Sequence, residues 1–234
     1  MSAGTVISTE SRTWPRQAVT LDRLAGTGGL AFAATLVIQN ILRAKAPGFD
    51  AAPGQVTAYF LTHRAAALVP LGLFPAGLLA LFLFVAGLWS RASQGSSPWW
   101  ASLGALGAAT VAALFAVVNI TEIVLTAKAG RLASSPAVIQ ALWTLHAAAF
   151  GLDLAAIAVA LIGLSRAAAS MSLIPAWIAV AALPGAACLL TAAAFTVALA
   201  NGGPWLAVGL AGFIVWLVFV VAASVALLRR RQIP

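Results

Sequence analysis

The side chains of this sequence that could do chemistry are few, and they recur at helical spacing. The stretch VVNITEIVL, Val117 to Leu125, sets Asn119, Thr121 and Glu122 near the end of a long apolar run, in a chain with only five acidic residues. Asn119 and Glu122 are three apart and Thr126 follows one turn later, so the three share a helix face. A second pair, His146 and Asp153, is seven apart, which again means one face, about 10 Å along the axis. A carboxylate beside a histidine can act as base, proton carrier or ligand. Asn40 and His63 are the other polar side chains placed to join them.

These residues sit in a chain that is 62% hydrophobic and 8% charged. A soluble domain carries roughly 25% charged residues, so the composition is that of an integral membrane protein. β-Barrel strands alternate apolar and polar residues. Here the apolar runs are continuous, and only helices satisfy such a backbone locally in hydrocarbon. The expected fold is all-α, a bundle of six transmembrane helices. The spans fall at about 24–43, 65–90, 99–126, 138–165, 172–200 and 205–228. A polar tail, 1–23, precedes the 24–228 transmembrane domain, and a basic tail, 229–234, follows it. The first apolar run is longer than the roughly 7–15 residues of a signal peptide, which argues for an uncleaved first helix. Between the first two spans, GQVTAYFLTHR could form a short interfacial helix.

Six spans put both termini on one side. The segments on that side carry Arg12, Arg16, Arg23, Arg91, Arg166 and Arg229 to Arg231; the opposite loops carry Arg43, Lys45, Arg64, Lys128 and Arg131. The positive-inside rule then places both termini in the cytoplasm, in a cell membrane. Trp14, Trp89, Trp99, Trp100 and Trp177 fall near the same interface, as an aromatic belt would. The net charge of +8 does not point to nucleic acid, because the basic residues are spread over every loop with no aromatic-interleaved patch. Spans two and five each hold two prolines, Pro70 with Pro75 and Pro175 with Pro184, a faint sign of an inverted repeat.

A depth ruler of roughly 20 residues per span puts Asn40, Asn119, His146, Thr191 and Thr196 in the outer half, Asp153 near the midplane, and Glu122 and His63 at the outer boundary. The inner half, LLALFLFVAGL and LAAIAVALIGL, is bare of polar side chains. The expected shape is a cavity open to the outside above an apolar plug, lined by Asn119, Glu122, His146 and Asp153, with Asn40 and His63 as further candidates. Such asymmetry argues against a simple channel, which needs polar groups or water along its whole route. Glu122 has two readings: it snorkels to the headgroups beside Lys128, or it faces inward towards His146. No lysine or arginine falls inside a span, so no buried salt bridge is expected. Asp153, whose insertion costs roughly 2.5–3.5 kcal/mol at mid-depth, is expected to carry its proton and bond a neighbouring helix. It then serves either as interhelical glue or as the cavity floor.

The four ligating side chains, His63, His146, Glu122 and Asp153, lack chelating spacing such as HExxH. No metal site is expected. His63 lies too near the rim for bis-histidine haem, no lysine is intramembrane for retinal, and no cofactor is expected.

The layout from about residue 24, with NITE at 119–122 and SRAAASMSLIPAWIAV at 165–180, resembles a broad family of uncharacterised six-helix bacterial membrane proteins. Its members show Arg-x-x-Glu on the third helix and Pro-x-Trp at the start of the fifth. Asn119 stands here where that arginine would be. The resemblance implies the six-helix fold and no particular activity.

The leading functional expectation is a non-enzymatic protein of the lipid bilayer whose outward-facing cavity binds a small or lipid-like ligand, or a proton. An enzyme using Glu122 and Asp153 in acid–base chemistry on a lipid or isoprenoid is the second. A structural or accessory subunit is the third.

Overall fold

The computed structural model describes residues 14–95 and 98–229, with side chains from Thr20 onwards. Segment 1–13 of the expected tail, with Arg12, and the terminal Arg230 and Arg231 lie outside the described residues. The helices are α1 (Trp14–Arg43), α2 (Pro53–Thr62), α3 (Arg64–Ala92), α4 (Pro98–Leu132), α5 (Pro136–Ser170), α6 (Ala176–Ala194), α7 (Thr196–Ala200) and α8 (Trp205–Arg229). Among the described residues, six of them (α1, α3, α4, α5, α6 and α8) are long and apolar enough to cross a bilayer. The chain is thus an all-α, multi-pass membrane protein.

Three boundaries differ from expectation. Helix α1 starts at Trp14, so residue 23 lies within a helix. Its first turns are held by Asp22, which is buried and takes a bidentate grip from Arg91 of α3. The fifth span is interrupted: α6 ends at Ala194, and Phe195 turns the chain before the short α7. The turn lets the Phe195 ring stack on Trp205, with centroids 3.9 Å apart. Helices α4 and α5 run on to 35 residues each. That is about 52 Å at 1.5 Å per residue, against a hydrocarbon core of roughly 30 Å, so both project past the bilayer core.

The span-forming helices pack as a ring of sequence neighbours: α1 on α3, α3 on α4, α4 on α5, α5 on α6, α6 on α8, and α8 back on α1. Helix α5 also touches α3 and α8 and is the most buried span. Lipid tails are as apolar as leucine, so helices in a bilayer associate through close van der Waals fit rather than hydrophobic driving force. Small residues supply that fit. Gly104 and Gly107 of α4 lie against Gly163 and Ala160 of α5, backbone on backbone, and Gly26 of α1 faces Ser224 and Leu228 of α8. The last contact places the first half of α1 beside the end of α8, so the described ends of these two helices lie at one end of the bundle. Trp89, Trp99, Trp100 and Trp177 are exposed at this termini end.

Near the termini end the interior is filled by apolar side chains. Phe84, Leu88, Leu161, Leu164, Phe219 and Leu227 are fully buried, and the Phe84 and Phe219 rings meet edge to face. At the opposite end the projecting turns of α4 and α5 make a platform for α2. Pro53 opens α2, and the Gln55 side chain accepts from the Ala52 N–H at 3.2 Å. Val56, Tyr59 and Phe60 then bury against Leu125, Ile139 and Trp143. The interfacial helix expected between spans one and two is therefore seated on the protein itself, and it roofs this end of the bundle.

Candidate functional site

Beneath that roof lies a cavity of about 430 Å³ between α1, α3, α4, α5 and α8, closed above by the 44–49 loop. Its walls are aromatic: Phe32, Phe74, Phe115, Phe150, Phe213 and Trp216. Helix α5 contributes Trp143, His146, Phe150, Asp153 and Ile157, the face that a spacing of three to four residues produces. Of the residues expected to meet here, Glu122, His146, Asp153 and Asn40 line the cavity. Asn119 sits at its edge, 2% exposed, bonded to a lining residue. His63 does not join them. It is exposed at the junction of α2 and α3, stacked on Tyr59 with centroids 5.1 Å apart. Thr191 is exposed and bonds its own helix at Ala187, and the Thr196 side chain packs towards Gly151.

The expectation of no buried salt bridge is overturned at Glu122. Arg43, the last residue of α1, turns into the bundle and donates to Glu122 from Nε (3.0 and 3.2 Å) and from Nη2 (2.8 Å). Its Nη1 donates to Gln39 Oε1 and its Nη2 to Asn119 Oδ1. The guanidinium also lies 5.6 Å from the Phe115 ring centre, within cation–π range. Asn119 donates to the Phe115 carbonyl at 2.7 Å, and Gln39 to the Pro70 carbonyl at 3.2 Å. One polar cluster therefore ties α1, α3 and α4 together across the cavity mouth. Glu122 neither snorkels beside Lys128, which is exposed, nor bonds His146. The physical reason is the roof: α2 and the 44–49 loop cover this end, leaving Glu122 6% exposed with Arg43 as its counter-ion. Tyr59 of α2 feels the same field. Burial, and next the Glu122 carboxylate, push its phenol above the ordinary value, and Arg43 acts in the opposite sense.

His146 is packed among aromatic rings and contacts Thr121. Its ring stacks on Trp143 at 4.6 Å and lies 6.0 Å from Phe49. The Thr121 hydroxyl donates to the Val118 carbonyl at 2.7 Å, and its oxygen lies 3.3 Å from His146 Nδ1. The donor and acceptor roles of the two ring nitrogens depend on the tautomer. Trp143 donates from Nε1 to the Gly48 carbonyl at 2.9 Å and so pins the 44–49 loop. Replacing Trp143 by phenylalanine removes one donor from a partly buried carbonyl. The expected loss is about 1 kcal/mol, with faster amide exchange confined to 44–49. Unchanged exchange there would mean that the loop is held by Phe49 alone.

Asp153 is 5% exposed, and its Oδ1 is fully buried with no hydrogen-bond partner. The interhelical bond expected of it is not formed. Around it the cavity offers apolar Leu154, Ile157, Gly209 and Phe213. Unsatisfied buried polar groups are rare in native proteins, and this one belongs to a residue that lines the cavity. The exposed residues on the rim are Asn40 and Ala44 on the α1 side, Gly48 in the loop, and Leu206 and Leu210 on α8. The described α1–α8 contacts, Gly26 with Leu228 and Phe32 with Trp216, are nearer the termini end. The rim therefore faces the side of the bundle, between α1 and α8.

Comparison of the chain with protein-family models, with curated proteins and with solved structures returns no match. The resemblance at 119–122 and 165–180 thus rests on those motifs alone.

Proposed function

We propose that this membrane protein binds a small, lipid-like ligand in the cavity between α1, α3, α4, α5 and α8. Both termini would lie in the cytoplasm, and the cavity end would face the opposite side of a cell membrane. The observation that carries the reading is Asp153, a buried carboxyl without a protein partner on the wall of an aromatic cavity of about 430 Å³. Ligand pockets of roughly 300–1,000 Å³, mostly apolar with a few placed polar groups, are the usual form of a small-molecule site. A rim on the flank of the bundle suits a molecule dissolved in the bilayer. The acid–base reading has less to stand on, because Glu122, the proposed partner of Asp153 in that chemistry, is committed to Arg43.

Two measurements test the proposal. Native mass spectrometry of protein extracted in its own lipid should find a bound small molecule, and Ala112→Trp, which fills the cavity from α4, should remove it. Binding that survives Ala112→Trp would place the molecule elsewhere. The second measurement is stability. If Asp153 glued helices, its loss would destabilise the bundle. As a ligand group it burdens the empty fold, so Asp153→Leu should leave stability unchanged or raise it by about 1–2 kcal/mol. A loss of similar size would support the glue role instead.

A further inference from the structure

The cavity's polar groups differ in what they have left to offer. At the mouth, every nitrogen of Arg43 is engaged with Glu122, Gln39 or Asn119. The amide nitrogens of Gln39 and Asn119 each donate to a backbone carbonyl. No uncompensated positive charge therefore faces the cavity, and an anionic ligand would find no counter-ion. Among the lining polar groups, the Thr35 hydroxyl and Asn40 Oδ1 on α1 and the Asp153 carboxyl on α5 make no hydrogen bond to a described residue; Asp153 is the buried one, and it shares α5 with His146. Their seven-residue separation puts them about 10 Å apart along the helix. Phe150, Phe213 and Trp216 line the same cavity.

A carboxyl without a partner in an apolar wall, next to aromatic rings, is complementary to one chemistry above others. An ammonium group supplies both the donor and the charge that a buried carboxylate lacks, and aromatic faces attract cations. The apolar rest of the cavity and its lipid-facing rim require the remainder of the molecule to be hydrophobic. We propose that the ligand is a lipophilic amine, bound as its ammonium form with the nitrogen on Asp153 and its apolar body along the aromatic wall. This deepens the cavity reading above and rests on it.

The test is equilibrium binding to the full-length protein in phosphatidylcholine nanodiscs. Three probes share one body: phenylbutylamine, phenylbutanol and phenylbutanoate. The amine should bind about tenfold or more tighter than the alcohol, and the acid should not bind measurably. Asp153→Asn keeps the shape and removes the charge, and should bring the amine down to the alcohol's affinity while leaving the alcohol nearly unchanged. Asp153→Glu should keep the preference, which guards against a folding defect in the asparagine variant. Equal affinity of amine and alcohol in the native protein would overturn the inference, as would an amine preference that survives Asp153→Asn. If no probe binds but a molecule co-purifies and is lost in Ala112→Trp, the amine class is wrong and the cavity reading stands. If nothing co-purifies either, both fail together.

Discussion

Replacing Arg43 by methionine should cost about 3 kcal/mol of stability, and Glu122→Gln made in the same chain should recover part of it. Truncating one member of a buried ion pair typically costs roughly 3–5 kcal/mol, because the other charge is left unpaired. Here the Arg43 side chain is 20% exposed and that of Glu122 8%, so the lower end applies. The loss goes beyond the pair, since Arg43 also bonds Gln39 and Asn119 and rests over Phe115. The double variant has no stranded charge, and its cycle with the single variants should show a coupling of about 2 kcal/mol. Reversible unfolding in detergent micelles measures all four proteins. Strictly additive losses would mean that Arg43 and Glu122 do not feel each other. In α1, α3 and α4, amide protection near Gln39, Pro70 and Asn119 should fall together in Arg43→Met, because the cluster joins these helices at the cavity mouth.

The second large effect concerns the seam between α4 and α5. A Cβ added at Gly163 would run into the backbone of Gly104 and come within 2.8 Å of the Trp100 carbonyl oxygen. Alanine is the better helix former by about 1 kcal/mol, but backbone cannot move aside as a side chain can, and overpacking costs typically 1–3 kcal/mol or more. Gly163→Ala should therefore destabilise the protein by about 2 kcal/mol net. Gly72 is the control: nothing lies within 4 Å of the Cβ it lacks. Gly72→Ala should raise stability by up to about 1 kcal/mol. Equal shifts from the two substitutions would show that the α4–α5 seam has slack.

The Arg43–Glu122 pair also gives meaning to the departure at position 119. The six-helix family that the chain resembles carries arginine there, on the same helix as the glutamate. In this protein a guanidinium reaches the same carboxylate from α1, 79 residues away in sequence. Asn119 accepts from that guanidinium rather than replacing it.

The sequence by itself determined the elements and their faces. Apolar runs long enough to span hydrocarbon mark each of the six crossings, because no other local structure satisfies a backbone in lipid. Helical periodicity alone put Asn119, Glu122 and Thr126 on one face, and all three are buried. It did the same for His146 and Asp153, which share the cavity wall. Partners were decided only by the tertiary structure. Whether a carboxylate near the membrane boundary meets water, headgroups or a guanidinium depends on which helices stand beside it and what roofs them, and neither is a local property. Arg43 looked like a loop residue because it ends an apolar run, and Asp22 looked like part of a tail for the matching reason at the other end. Each was drawn inward by a charge on a helix distant in sequence. Asp153 is the reverse case. Its spacing placed it inside, and only the packed bundle left its Oδ1 without a mate among the described residues.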